Sequence, residues 1–401
     1  MSRPQLEVAE VFRRHGERFL NRWGHTVSPP QRQALHDIRL CRTAALGGHL
    51  EECDHCARRR IAYNSCRNRS CPKGQSPARD RCLAERAQEL LPVAYGHVVF
   101  TVPQELAPLA RQNPSCFYAL LFRAMAETLR ESAANSRHLG ARIGFLAVLH
   151  TWSQNRLLHP HLHCLVPAGG LALDGSRWIA CRRKFFLPVN VLSRLFRGKL
   201  LVFLEAAGAQ GKLEFHGQLT ALADPARFRA LLHQLRQKEW VVYAKPPFGG
   251  PQHVLKYLAR YTHRVALSNG RWVSLTDHQV SFQWRDSKEG KRRKVMTLDA
   301  VEFIRSFLLH VLPSGFVKIR HFGFLAHRNR AQALALCRQH VQSARSSSPS
   351  PEVLTEQQRQ ARERRCPGCQ RRPLHVVAWL AVAQRSLGRY ASLLVHPVDS
   401  S

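Results

Sequence analysis

The sequence predicts an α+β fold, in which a central antiparallel sheet is flanked by helices and preceded by a small helical, cysteine-rich N-terminal domain. Short apolar runs separated by turns indicate strands. The hairpin signal Asn269-Gly270 and the polar turn Asp286–Gly290 indicate that neighbouring strands run antiparallel. The strand candidates are Gly96–Val102, Ile143–Leu149, His161–Val166 and several strands between Val265 and Leu298.

The helices are predicted from amphipathic periodicity and from capping residues. Two helices lie within residues 1–40, and the second begins at Ser28-Pro29-Pro30, an N-cap followed by proline in the first turn. A helix from Asp299 begins with Asp-Ala-Val-Glu, which resembles a capping box. The remaining predicted helices span residues 78–92, 115–133, 225–237 and 252–265.

Changes in composition along the chain predict three domains. Residues 1–92 combine the N-terminal helices with a segment rich in cysteine and arginine, and residues 93–340 mix strand and helix patterns. Residues 341–401 are expected to be a linker and a C-terminal tail that contains Cys366-Pro-Gly-Cys369. Within that tail, residues 342–365 have the composition of a mobile linker.

The charge of the chain points to a polyanionic partner. The 61 lysines and arginines outnumber the 27 acidic residues, which leaves a formal net charge of +34. Because neutralising phosphates releases counterions and dominates nucleic-acid affinity, a surplus of this size favours DNA as the partner. The hydrophobic fraction of 44% is typical of a globular protein and excludes a disordered one.

The chain shows no run of about 18 apolar residues and no signal-peptide pattern at its start. We therefore expect a cytoplasmic protein with no membrane partner, and the sequence indicates no oligomeric state. In that compartment the 12 cysteines are expected to be thiols or metal ligands.

The triplet His161-Leu162-His163 is a candidate metal site. On a strand, alternate side chains share a face, so both imidazoles would point the same way while Leu162 enters the core. Two imidazoles about 7 Å apart at their roots can converge on one divalent ion, here Mg²⁺ or Mn²⁺. The sequence does not fix the third ligand. Its two candidates are His159, which has the same parity on the strand but is separated from the pair by Pro160, and Gln154.

Tyr257 and Tyr261 are the candidate nucleophiles. They lie four residues apart in a predicted helix, which puts both hydroxyls on one face. A phenol that attacks a phosphodiester polarised by a metal ion would form a covalent phosphotyrosine intermediate. Lys256, Arg260 and Arg264 flank the tyrosines and are expected to bind phosphate and favour the phenolate.

The cysteine-rich segment predicts a zinc site built from Cys53, Cys56, Cys66 and Cys71. His49, His55 or Cys82 could replace a ligand, because a second CxxC would need cysteine where the chain has Gly74. The arginines of this segment, Arg67 and Arg69 among them, suit a DNA contact. The pair Cys366 and Cys369 is a half-site, which binds zinc only if a second pair completes it.

These motifs follow one another in an order that resembles the rolling-circle insertion-sequence transposases of the HUH (His-hydrophobic-His) superfamily that carry paired tyrosines. The resemblance runs from about Cys41 to about Arg330, and its motifs lie at Ile61–Arg69, Cys71–Lys73, His97–Pro103, Thr151–Asn155, His159–Cys164, Tyr257–Tyr261 and Phe322–Ala326. The chain departs from that family at Ser70 and Gly74, where such proteins usually carry histidine and cysteine.

The resemblance implies an HUH nuclease-like palm with His161 and His163 as metal ligands, Tyr257 and Tyr261 as nucleophiles, and a zinc-binding N-terminal region. It further implies a transposase that nicks single-stranded DNA at the element ends through a 5′-phosphotyrosine and leaves a free 3′-hydroxyl. Two other hypotheses stay open. One is a replication initiator or relaxase with the same chemistry, and the other is a DNA-binding relic without catalysis.

Overall fold

A computed structural model describes residues 6–73, 87–152, 158–182, 187–248, 269–286, 292–326, 329–343, 366–371, 374–381 and 395–397. Its α-helices are α1 (Val8–Trp23), α2 (Pro29–Leu40), α3 (Ala107–Gln112), α4 (Pro114–Ala134), α5 (Val189–Ala209), α6 (Pro225–Gln237), α7 (Ala300–Leu308) and α8 (Arg330–Ser343). The strands are β1 (Gly48–Cys53), β2 (Arg59–Tyr63), β3 (Tyr95–Thr101), β4 (Ala141–Arg142), β5 (Gly144–Trp152), β6 (Leu158–Pro167), β7 (Gly169–Ala172), β8 (Trp178–Ala180), β9 (Val242–Phe248), β10 (Trp272–Leu275), β11 (Gln279–Asp286), β12 (Arg292–Asp299), β13 (Ile319–Gly323), β14 (Leu374–Leu380) and β15 (Val395–Pro397).

The centre of the fold is a five-stranded sheet in the order β13-β5-β6-β3-β9. Each neighbouring pair in this sheet runs antiparallel. The predicted α+β class with antiparallel sheets is therefore confirmed. Three further sheets have the orders β15-β14-β1-β2, β10-β11-β12 and β4-β7-β8.

The alternation of side chains along β6 places Leu162 and Cys164 on one face of the central sheet, and His161 and His163 on the other. Leu162 and Cys164 are fully buried in the largest hydrophobic cluster, together with Phe122 of α4 and Phe196 of α5. His161 and His163 have the opposite parity and point to the other face. Helices α4 and α5 therefore cover one side of the sheet. The histidines lie on the other side, where Leu146, Val148 and Leu165 form a second apolar cluster with Leu334 and Cys337 of α8.

The limits of two predicted helices agree closely with those found, whereas β5 ends and β6 begins three residues beyond the predicted limits. Helix α4 spans one residue more at each end than predicted, and α6 has the predicted limits. Asp299 caps α7 by accepting hydrogen bonds from the main-chain N–H groups of Val301 and Glu302 at 2.9 and 3.2 Å. Ser28 and Gln31 form a capping box at the start of α2.

Local structure differs from the sequence predictions at two places. Asn269–Arg271 form a short 3₁₀ helix before β10, so this pair is not the two-residue hairpin turn that was predicted. The long helix α5 was not predicted, although Leu192, Phe196, Leu200 and Leu204 recur every four residues and are all buried. The predicted helix 252–265 lies outside the described residues.

The N-terminal helices share a core with a later part of the chain. Phe12 of α1 and Phe307 of α7 pack edge to face with ring centroids 5.2 Å apart. The same hydrophobic cluster contains Ile38 of α2 and Phe282 of β11. Residues 1–92 and 93–340 thus share a common core, and the boundary between them stays a prediction.

The C-terminal residues belong to the N-terminal sheet. Strand β14 pairs antiparallel with β1, in a register that puts Cys53 opposite Leu374 and Gly48 opposite Leu380. Residues 374–380 of the predicted tail thus pair with an N-terminal strand, which the sequence did not indicate because pairing between distant segments leaves no local pattern. The boundary at residue 341 stays a prediction. Within the described residues, no helix is both long and apolar enough to cross a membrane.

Truncation of Leu162, which lies between the two histidines but faces the core, tests the assignment of the two faces. Leu162→Ala is expected to lower the free energy of unfolding by about 2–5 kcal/mol, because it leaves a cavity in the main cluster. Leu173→Ala is the matched control, since Leu173 is 58% exposed, and it should change stability by less than about 0.5 kcal/mol. Urea unfolding followed by tryptophan fluorescence measures both, and equal losses would contradict the assignment.

Candidate functional site

Three histidines meet on the polar face of the central sheet. His161 and His163 come from β6, and His150 comes from β5, where it pairs directly opposite His161. One ligand nitrogen from each histidine can be chosen so that all three lie within 4.8 Å of one another. His150 and His163 are buried, and their ring centroids are 4.4 Å apart. The sheet thus presents three imidazoles to one point in space.

Hydrogen bonds orient two of these rings. Nδ1 of His161 lies 2.7 Å from the main-chain oxygen of His159, a geometry in which the ring donates to the carbonyl. Nδ1 of His163 lies 2.9 Å from Nε2 of the buried His97 on β3. A histidine that uses Nδ1 in this way coordinates a metal through Nε2, and such outer contacts fix the ring for coordination.

The environment of His97 suits this supporting role. Burial, reinforced by the charge of Lys245, lowers the pKa of His97 to about 4. The ring is therefore neutral at pH 7, and its Nε2 can accept a hydrogen bond from Nδ1–H of His163. A neutral ring in this position avoids placing a cation against a candidate metal ligand.

The cluster changes the expected third ligand. His159 was a candidate because of its parity, but its side chain lies outside the cluster, where Nδ1 is 3.2 Å from Oε1 of Gln104. Gln154, the other candidate, lies outside the described residues. His150, which was not a candidate, lies in the cluster instead. The signal that could have found it is its place one residue after the predicted strand Ile143–Leu149, close to where a hairpin would oppose it to His161.

A second group of polar side chains borders the histidines beyond a β-bulge. The register of β5 and β6 shifts between His150 and Trp152, so the His150 and Trp152 rings stack with centroids 5.3 Å apart. The ammonium group of Lys318 lies 5.1 Å from the Trp152 ring centroid, and His310 packs against the edge of the same ring. Burial lowers the pKa of Lys318 to about 8, with a smaller contribution from the charge of Arg69.

The candidate nucleophiles Tyr257 and Tyr261, together with Lys256, Arg260 and Arg264, lie outside the described residues. The residues that precede and follow this segment are described. Strand β9 ends at Phe248, opposite Tyr95. After the segment, Trp272 of β10 packs against the same hydrophobic cluster as Trp152, two residues from His150.

The cysteines of the N-terminal region divide into two clusters. Cys53 and Cys56 lie beside Cys366 and Cys369, and all four sulfurs are within 4.8 Å of one another. Cys66 and Cys71 lie beside Cys41 within the same limit. The predicted single site of Cys53, Cys56, Cys66 and Cys71 is therefore wrong in its grouping. CxxC spacing identifies local pairs, but it does not reveal which distant pair completes them.

The Cys41 cluster is set in the core of the N-terminal helices. Cys41 and Cys71 are buried, with their sulfurs 3.5 Å apart. Hydrogen bonds from the thiols of Cys66 and Cys71 lower the pKa of Cys41, as expected where several thiols share a site. Three thiols at these distances fit zinc with one further ligand. Cys82, considered for that role from the sequence, lies outside the described residues, as does Gly74, where a second CxxC would have its cysteine.

The two arginines assigned to DNA binding in this region have different surroundings. Arg67 is exposed. The guanidinium of Arg69 donates to three main-chain carbonyls, of Leu312, Pro313 and Phe316, at 2.6–3.0 Å. We therefore assign Arg69 a structural role, in which it fastens the cysteine-rich segment to the loop before β13. Arg67 stays a predicted DNA contact.

Comparisons with known proteins found two family models that match the parts of the chain containing the Cys41 cluster and the histidine cluster. A family model described as "Transposase zinc-binding domain" matches residues 11–102, and one described as "Putative transposase" matches residues 144–333. A protein from Sinorhizobium fredii named "Putative transposase y4qJ" is 54% identical over 377 residues, which cover 92% of this chain and 94% of that protein. The chain belongs to this transposase family.

A more distant relative of this transposase is the transposase for insertion sequence element IS801 from Pseudomonas savastanoi pv. phaseolicola. It is 25% identical over 342 residues, which cover 82% of this chain and 80% of that protein. No solved structure matches the chain. Family membership makes the protein a DNA-binding enzyme that cleaves and joins DNA, and the zinc-binding model includes all three residues of the Cys41 cluster.

Substitution of Cys41 tests the cluster that the sequence did not predict. Cys41→Ser is expected to lower the zinc content of the purified transposase, because only two of the three described thiolates remain. Cys337→Ser is the control, since Cys337 is equally buried but lies in an apolar cluster. Elemental analysis measures both, and an unchanged zinc content in Cys41→Ser would contradict the assignment.

Proposed function

We propose that this transposase nicks single-stranded DNA at the ends of an insertion sequence and transfers the strand by a rolling-circle mechanism. Tyr257 and Tyr261 would act as nucleophiles, and His150, His161 and His163 would hold a divalent ion, Mg²⁺ or Mn²⁺. The observation that carries the proposal is the convergence of these three histidines on one face of the central sheet, in a chain of a transposase family.

The histidine cluster suits a catalytic metal better than a structural one. Three protein ligands leave coordination positions for a phosphate oxygen and water, whereas structural sites are closed by four protein ligands. A bound ion would polarise the scissile phosphodiester and offset the charge that develops on it. The hydrogen bonds of His161 and His163 would hold both rings in place for this task.

The positions of the residues before and after the tyrosine segment support the proposal that the tyrosines lie near the histidine face of the central sheet. β9 ends at Phe248 opposite Tyr95, and Thr101, at the other end of β3, pairs with His161. The six-residue separation along β3 is about 20 Å at roughly 3.3 Å per residue. A helix over residues 252–265 would be about 21 Å long. That length would carry the chain back along β3 to Trp272, which packs in the same cluster as Trp152 near His150.

The proposed chemistry is a transesterification. A tyrosine hydroxyl loses its proton and its oxygen forms a bond to the scissile phosphorus. The bond from phosphorus to the 3′-oxygen breaks, and that oxygen takes up a proton to become a free 3′-hydroxyl. The 5′-phosphate stays on the enzyme as a phosphotyrosine. Lys256, Arg260 and Arg264 would bind phosphates next to the tyrosines and favour the phenolate.

Two tyrosines would allow the enzyme to hold two strand ends. On the helix predicted from the sequence, one turn would separate Tyr257 and Tyr261 by about 6 Å, so a single phosphate could lie in line with only one at a time. We assign initiation to Tyr261, because Arg260 and Arg264 flank it in sequence. A replication initiator or relaxase would use the same first step, and membership of a transposase family favours transposition.

Substitution of the tyrosines tests the covalent step. Tyr261→Phe is expected to reduce formation of a covalent adduct on single-stranded element ends by about a thousandfold or more, since no other group replaces the hydroxyl. Tyr257→Phe should leave cleavage measurable but block strand transfer. Tyr243→Phe is the control, because Tyr243 is an exposed tyrosine of β9. Adducts are measured on denaturing gels.

The double Tyr257→Phe/Tyr261→Phe variant separates the catalytic hypotheses. Full cleavage by this variant would refute the covalent mechanism. Failure of the unaltered protein to form any adduct on its own element ends would support the hypothesis of a DNA-binding relic.

Metal binding distinguishes His150 from His159 as the third ligand. His150→Ala is expected to weaken Mn²⁺ binding by more than about 100-fold, as His163→Ala should, because each removes a coordinating nitrogen. His159→Ala should bind Mn²⁺ nearly as well as the unaltered protein, since the His159 ring lies outside the cluster and the substitution keeps the main-chain oxygen that accepts from His161. Calorimetric titration measures all three, and a loss in His159→Ala as large as in His150→Ala would contradict the assignment.

A further inference from the structure

The Cys53–Cys56 and Cys366–Cys369 pairs, whose sulfurs lie together, are in loops with the same local structure. In the first loop, the main-chain N–H of Ala57 donates to the carbonyl of Cys53 at 2.9 Å. In the second, Gln370 donates to the carbonyl of Cys366 at the same distance. Ala57 and Gln370 both have left-handed backbones, with φ of 51° and 57°. Non-glycine residues adopt this conformation at a cost, so its recurrence in both loops indicates a shared structural purpose.

The sulfur positions suit a tetrahedral ion. The Cys53 and Cys369 sulfurs are 3.6 Å apart, as are those of Cys56 and Cys366. Four sulfurs at 2.3 Å from a zinc ion would be separated by roughly 3.8 Å. A disulfide would need about 2.05 Å, and none of the four cysteines forms one. The main-chain N–H of Gly368 also donates to the Cys366 sulfur at 3.4 Å, a contact that stabilises a thiolate.

The sheet that these loops join has little apolar core of its own. None of the described residues of β1, β2 and β14 belongs to any of the three hydrophobic clusters. β1 nevertheless lies between β2 and β14, so its pairing depends on a strand from the other end of the chain. A small sheet without such a core commonly needs a metal ion to fold.

Polar contacts hold the same two segments together. Nδ1 of His375 lies 3.2 Å from the Asp54 carboxylate, and the Arg371 guanidinium lies 3.3 Å from Nε2 of His55. Both contacts join the loop Cys53–Cys56 to the chain that follows Cys369. Exposed contacts of this kind contribute little stability by themselves, so they align the two loops but do not replace a metal.

We infer that Cys53, Cys56, Cys366 and Cys369 bind one zinc ion that fastens the C-terminal segment to the N-terminal sheet. This interterminal site is separate from the Cys41 cluster, and Cys366 and Cys369 lie outside both segments that the family models match. Closing a loop of more than 300 residues with a metal restricts the unfolded chain strongly, which adds to the stability of the β1–β14 pairing.

The zinc content of the full-length protein tests this inference. The double variant Cys366→Ser/Cys369→Ser is expected to bind one zinc ion fewer per chain than the unaltered protein. The matched control Cys116→Ser/Cys181→Ser removes two cysteines that lie outside the metal clusters of the described residues, and it should keep the full zinc content. Cobalt substitution provides a second readout, because the variant should lose the part of the thiolate-to-cobalt absorption that arises from this site.

Hydrogen exchange provides a structural readout that does not depend on activity. In Cys366→Ser/Cys369→Ser, amides of β1 and β14 should exchange faster, while those of β5 and β6 keep their protection and show that the central sheet is folded. Equal zinc content in this variant and the unaltered protein would overturn the inference. It would also be overturned if Cys53→Ser/Cys56→Ser lost a zinc ion that Cys366→Ser/Cys369→Ser retains.

Discussion

The antiparallel register between β5 and β6 is the constraint on which the histidine cluster depends. It sets His150 directly opposite His161, and a slip of one residue would turn an entire strand's side chains to the other face. Apolar residues fix this register, since Leu162 and Cys164 of β6 and Leu149 of β5 are fully buried in the helix-covered core. The packing on one face of the sheet therefore positions the polar chemistry on the other.

Contacts between segments that are far apart in the sequence also hold the cysteine-rich region in place. Arg69 fastens the cysteine-rich segment to carbonyls before β13, the strand that pairs with β5. Helix α1 packs on α7, which follows the β10–β12 sheet. Through these contacts the zinc-binding part of the chain is attached close to Trp152 and His150, and not held as a separate module. Changes in the cysteine-rich segment can therefore affect the histidine face through packing alone.

Local sequence patterns predicted much of the fold, because strand alternation and helix capping depend on residues that are close together in the chain. The alternation of β6 predicted that His161 and His163 share a face, and Asp299 marked the start of α7. The sequence did not show which strand would oppose β6, so His150 was missed although it follows a predicted strand by one residue. The partner of Cys53 and Cys56 was missed for the same reason. It lies more than 300 residues away, and CxxC spacing carries no information on pairing at that distance.

The central claim is that three histidines, brought together by strand register, hold one divalent ion. Pulsed electron paramagnetic resonance of the Mn²⁺-loaded protein tests it most directly, because the spectrum reports the nitrogen atoms bonded to the ion. We expect couplings from three imidazole nitrogens in the unaltered protein and from two in His150→Ala. Couplings from two nitrogens in both proteins, or none in either, would contradict the account.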